Sequence, residues 1–135
     1  MQTYKWALVA LSLGISSCLL VGQNSKLSTT EVLKSITLID KITHTRYVLD
    51  STHMHIIAID SSGKQLWKTN PWRKEISSDT LAKQPTIDIF SFDLNEIDSW
   101  LKKDDSVIGI SYQYHHGPFG VINKKTGRFL LIGEN

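Results

Sequence analysis

The chain has 135 residues, 41% of them hydrophobic and 21% charged, and a formal net charge of +2. That length holds one domain rather than two. The composition excludes a disordered or collagen-like chain, and so small a charge excludes a strongly basic nucleic-acid surface. The single cysteine, Cys18, excludes an intramolecular disulfide, so the fold must stand on its core.

Residues 1–23 read as a signal peptide or membrane anchor, and residues 24–135 as one domain. Lys5 is followed by a run without charge from Trp6 to Gly22, the order of a basic start and an apolar centre. Those 17 residues lie at the short end of the range that spans a bilayer. Within the run, Ile15-Ser16-Ser17-Cys18 resembles the lipobox of bacterial lipoproteins. The resemblance implies cleavage before Cys18 and lipid on its sulfur, although the apolar Leu19-Leu20-Val21 stands where a polar tether is commoner. An ordinary cleaved signal and an uncleaved anchor are the alternatives. All three put the rest of the chain outside the cytoplasm. Removing residues 1–18 takes away only Lys5 and leaves 14 − 13 = +1.

In chain order, Ser28 with Glu31 fits a capping box ahead of a short helix. Thr37 to Thr43 reads as a strand with Leu38 and Ile42 on one face, and Arg46-Tyr47-Val48-Leu49 as a second strand closed by an Asp50-Ser51-Thr52 turn. Next comes a hairpin: Ile56-Ile57-Ala58-Ile59, a turn Asp60-Ser61-Ser62-Gly63, then Lys64-Gln65-Leu66-Trp67. Gly63 takes the place that needs a left-handed residue. The stretch Pro71 to Pro85 lacks periodicity and reads as a surface loop with one helical turn; loops this long are often functional.

Thr86 to Phe92 has strand composition. Asp93 and Glu96 then form a second capping box, and Leu94, Ile97, Trp100 and Leu101 recur at helical spacing, predicting a helix over 94–103. Lys102 and Lys103 suit its negative end. Val107 to Tyr114 alternates as a strand with Ile108, Ile110, Tyr112 and Tyr114 on one face. His115-His116-Gly117-Pro118 is a turn, and residues 119–132 make a last hairpin around Thr126-Gly127. The expected fold is α+β: one antiparallel sheet of about six or seven strands, with the single amphipathic helix packed on one face. The helix stripe and the Ile108/Ile110/Tyr112 face would share the core.

Two resemblances follow from these residues. Ala58-Ile59-Asp60, Gly63-Lys64 and Leu66-Trp67-Lys68 resemble one hairpin of quinoprotein-type β-propeller repeats. It occurs once, and a propeller needs at least four blades, so no cofactor is expected. The export signal, the run Trp67 to Trp72, and Phe119-Gly120-Val121-Ile122 with Thr126-Gly127 resemble small exported bacterial proteins and lipoproteins of uncharacterised function. That resemblance implies an envelope location and no activity.

The candidate chemistry is sparse. His53 and His55 share a strand face, and His115 and His116 adjoin at a turn. Were the two hairpins neighbours, the imidazoles would meet as zinc or copper ligands, which makes a metal-binding protein or metal-dependent enzyme the alternative function. The chain has no nucleophile elbow and no glycine-rich phosphate loop. Exposed Trp, Tyr and Arg anchor protein interfaces, so the main expectation is a non-enzymatic, envelope-tethered or exported binding module. Its partner would meet Trp72, Arg73, Tyr114, His115, His116 and Phe119, and its membrane contact would run through the N-terminal segment or lipid on Cys18.

Overall fold

The computed structural model describes residues 32–76 and 83–134, without the side chains of Lys74 and Glu75. The Ser28–Glu31 capping box and the Cys18 motif lie outside them. Residues 32–135 cluster as one compact unit.

Eight strands form: β1 (Ile36–Ile39), β2 (Arg46–Leu49), β3 (Ile56–Ile59), β4 (Gln65–Thr69), β5 (Ile87–Ser91), β6 (Val107–Tyr112), β7 (Pro118–Asn123) and β8 (Phe129–Glu134). They make two antiparallel four-stranded sheets, β1-β2-β3-β4 and β5-β6-β7-β8, each strand paired with its neighbour in sequence. This corrects the expected single sheet of six or seven strands. Alternation along β2 and β3 buries Tyr47, Leu49, Ile56 and Ala58 and turns Arg46, Val48, Ile57 and Ile59 outward. The buried set joins Ile87, Phe90, Ile108, Ile110, Tyr112, Ile122 and Phe129 of the second sheet in one cluster. The two sheets therefore pack face to face as a sandwich.

The α+β expectation fails at residues 94–103. Only a 3₁₀ turn forms there, Leu94–Glu96, with the Asp93 carboxylate accepting from Asn95 N at 3.0 Å. A helix of this length gains little against its nucleation cost, and Asp98-Ser99 has poor helix propensity. Three-residue turns still set Leu94 and Ile97 on one side. They pack with Leu101, Phe119 and Val121 on the face of the second sheet that points away from the first. The stripe and the Ile108/Ile110/Tyr112 face thus lie on opposite sides of β6 and share no core. Trp100, expected inside, is 63% exposed, and Ile42, expected in a strand, is 85% exposed in the turn after β1.

The second sheet is a middle layer, which is why β6 and β7 are buried along almost their whole length. Gly109 of β6 makes the outer packing close. A Cβ there would stand 2.4 Å from Ile97 Cγ1 and 3.0 Å from Leu94 Cδ2. Gly109→Val is expected to lower stability by about 1–3 kcal/mol through overpacking, measured by urea denaturation. An unchanged midpoint would show that the 94–101 segment does not rest on β6.

The strand ends are governed by Asx turns. Asp60 Oδ1 accepts from Ser62 N and Lys64 N, both at 2.9 Å, and Gly63 (φ 90°) closes that turn as expected. Asn123 repeats the device, accepting from Lys125 N and Thr126 N, with Gly127 (φ 71°) in the same role.

Candidate functional site

The meanders sort the loops onto two ends of the sandwich. The 50–55 turn, the 70–86 connection and the 113–117 turn share one end. The turns at 40–45, 60–64 and 123–128 share the other, where the 92–106 connection also begins and ends.

At the first end the structure gathers most of the residues expected to bind. Pro71 is buried and a π-helical turn, Trp72–Ile76, follows it. The side-chain amides of Asn70 and Gln84 exchange two hydrogen bonds, at 2.9 and 3.0 Å, and so close the base of this connection. Trp72 is half-buried, its ring edge-on to Tyr112 at 5.3 Å between centroids. It is a pin first and a surface second. Arg73 beside it is exposed. The Tyr112 hydroxyl is buried beside the Trp72 backbone, and burial pushes its pKa well above the ordinary phenol value, making it a weaker acid.

One residue beyond Tyr112 the chain enters an unusual turn. Gln113 (φ 55°), Tyr114 (φ 45°) and His115 (φ 71°) are successive non-glycine residues in the left-handed region. Such residues normally occur singly, each at a cost of about 1–2 kcal/mol. The turn is held from three sides. Tyr114 N donates to Asp88 Oδ2 at 3.1 Å, the His115 ring meets Ile97 O through Nδ1 at 3.1 Å, and His116 N donates to Gln113 O at 2.9 Å. Tyr114 leaves the strand face expected for it and stands 68% exposed; His115 and His116 are exposed too. Phe119 differs from its expected role. At 4% exposure it belongs to the outer core with Leu94 and Val121 and offers nothing to a partner.

The same end carries His53 and His55. His53 is itself left-handed (φ 54°) and acts as a clip between the sheets. Its carbonyl accepts from Ile87 N at 2.8 Å, while its ring nitrogens face Ile87 O at 3.2 Å and Lys34 O at 2.7 Å. His55 Nδ1 lies 3.1 Å from Asp50 Oδ2. The four imidazoles share an end without converging. Among the described residues no group of three or more His, Cys, Asp or Glu side chains is placed to hold a metal ion.

The opposite end holds a cleft of about 720 Å³ lined in part by Asp40, Thr45, Tyr47, Leu66, Ser106 and Lys124. Lys124 Nζ meets Asp40 Oδ2 at 2.8 Å, with the two side chains only 15% and 12% exposed, and stands 4.4 Å above the Phe92 ring. The Lys124 backbone is tied as well: its N donates to Ser106 O at 2.9 Å, and its O accepts from Trp67 Nε1 at 3.0 Å. The Lys124 hydrogen bond, helped by Thr43 N–H, holds the Asp40 carboxyl far below the usual carboxylate range. Burial, with Asp40 nearby, raises the Tyr47 phenol. Asp40 and Lys124 are 84 residues apart, and nothing in the sequence links them. Asp40 and Lys124 neutralise each other here and tie the two sheets together.

Among the described residues no helix is long and apolar enough to cross a membrane, which says nothing of residues 1–31 or of β-barrels. Compared with protein-family models, characterised proteins and solved structures, the chain matches none.

Proposed function

We propose that this chain is an exported, non-enzymatic binding module of a bacterial envelope, held at the membrane by its N-terminal segment or by lipid on Cys18. Its partner is a protein that docks on the end of the sandwich where Tyr114, His115, His116 and Arg73 stand. The observation that carries this reading is the left-handed turn at 113–115. Strain of this kind persists where the surroundings over-determine it and clusters at recognition sites. Here it displays a tyrosine that the alternation of β6 would otherwise have pointed inward. Tyrosine brings large contact area with few rotatable bonds, and the neighbouring imidazoles and guanidinium add hydrogen-bond donors.

The test is a photo-crosslinking residue at position 114 of the full chain in its own host, with Ser61 at the opposite end as the control position. A discrete protein adduct at 114, missing at 61, is expected. Identical adducts at both positions, or none, would remove this end as the docking site.

A further inference from the structure

The two sheets differ in what covers them. The outer side of the β5–β8 sheet carries the 94–101 segment, whereas no core cluster includes the outward residues of the β1–β4 sheet. Register fixes those residues in two rows. One row runs Thr37, Val48, Ile57, Lys68, and the other runs Ile39, Arg46, Ile59, Gln65. Four of the eight positions are branched aliphatics and two are cations; none is an acid. An exposed face of an antiparallel sheet ordinarily alternates toward polar residues. Here Ile39 is 55% exposed, and Val48, Ile57 and Ile59 are half-buried.

We infer that this face contacts the membrane and orients the domain on an anionic bilayer. The inference rests on the tethered reading given above. Two features choose the occupant. The charge is complementary to lipid phosphate: Arg46 and Lys68 stand among aliphatic side chains, and none of the eight outward positions is a carboxylate. The flat patch is also what an interface of headgroups and acyl chains accommodates. Reach is the second. From Gly22, the end of the apolar run, to Ile36 of β1 is 14 residues. At about 3.5 Å per residue that is at most about 50 Å, so a bilayer holding the apolar run holds the first strand of this very sheet near its surface. A tether of that length makes even weak surface contact count, by raising its effective concentration.

The test uses the full chain, with Cys18→Ser so that an environment-sensitive fluorophore is unique at Ile57→Cys. A second label at Lys68→Cys guards against a local folding defect, and Ser99→Cys on the opposite layer is the control. The chain is added to phosphatidylcholine vesicles with and without phosphatidylglycerol. Expected is a blue shift at positions 57 and 68 on anionic vesicles, reversed by salt, abolished at position 57 by Arg46→Glu with Lys68→Glu, and missing at 99. If the chain floats with both kinds of vesicle while both labels stay aqueous, the inference is overturned and the tether stands. If the labels shift on anionic vesicles but the chain does not float with neutral ones, the face is upheld and tethering by the apolar run fails, which leaves lipid on Cys18 as the tether. Three results would overturn it in favour of another cover. An equal shift on both vesicle types removes the role of charge. A shift without vesicles that grows with concentration assigns the face to a second copy. A shift without vesicles at all concentrations assigns it to the chain's own residues.

Discussion

Ile110→Asp is expected to leave the domain unfolded. Ile110 is fully buried in β6, one of the two inner strands of the middle layer, in the inner cluster with Leu49 and Ile56. No cation belongs to that cluster, so the introduced carboxylate would be unpaired, and it must either stay charged at large desolvation cost or take up a proton. A penalty beyond about 4 kcal/mol is comparable with the whole stability of a domain this size, about 5–15 kcal/mol. Near-ultraviolet circular dichroism and a thermal scan read the outcome, with Ile42→Asp as the matched control on an 85% exposed residue. The control should move stability by no more than about 0.5 kcal/mol. A cooperative, native-like melt for Ile110→Asp would mean that the two sheets do not close on β6.

Lys124→Ala should be the most damaging change near the surface. It takes away the partner of a shielded carboxylate and the cation above Phe92. The expected loss is about 2 kcal/mol, between the value of an exposed ion pair and that of a fully buried one. It also changes the response to acid. A carboxyl whose pKa is lowered by folding adds stability above its unfolded value, near 3.9, and that stability drains away as the pH falls through the folded value. Asp40 is such a group by virtue of Lys124. Asp60 and Asp104 are lowered by the hydroxyls of Ser62 and Ser106 first and backbone N–H groups after. At Asp50, burial works the other way and is outweighed by the Thr52 hydroxyl and the N–H groups of His55 and Met54. The wild-type chain should therefore lose stability steadily below about pH 4. The variant should start lower and show a shallower decline, because Asp40 no longer contributes its share. Parallel acid limbs in urea titrations would show that the Asp40–Lys124 contact is not made in solution.

The strands were legible because each carries its own evidence. Ile56 to Ile59 is apolar and β-branched, Gly63 and Gly127 mark turns that only a left-handed residue closes, and Asp60 and Asn123 start those turns. Sheet membership was not legible. Periodicity says which side chains share a face, but not which of two sheets the face belongs to. Continuous burial in β6 and β7 hides which residues point to which layer. The 94–103 stripe misleads because the spacing of three from Leu94 to Ile97 serves a 3₁₀ turn as well as a helix. What tips the balance is the segment's shortness and the poor helix propensity of Asp98-Ser99, while Gly109, fifteen residues from Leu94, lets the segment come close to β6. At the candidate site, composition at a turn singles out Tyr114 and the two histidines, and the structure leaves all three exposed. Phe119 was assigned to the same surface because a turn does not reveal where its last aromatic points. Asp40 and Lys124 were missed because their meeting depends on the docking of the sheets.

That docking has a consequence for how the molecule acquires its shape. All ladder pairing is between consecutive strands, and the chain passes from one sheet to the other once, between Thr69 and Ile87. Hairpin closure is local and fast, so the contact order of the pairing is low for an all-β protein. What is slow and non-local is the meeting of two finished meanders. Neither can cover its apolar side alone, and each presents the same complementary side to any copy of the other. Nothing in the ladders tells a meander whether its mate lies in its own chain. Fidelity rests on the single 70–86 connection, whose amide clasp between Asn70 and Gln84 keeps the two halves of one molecule the nearest available match.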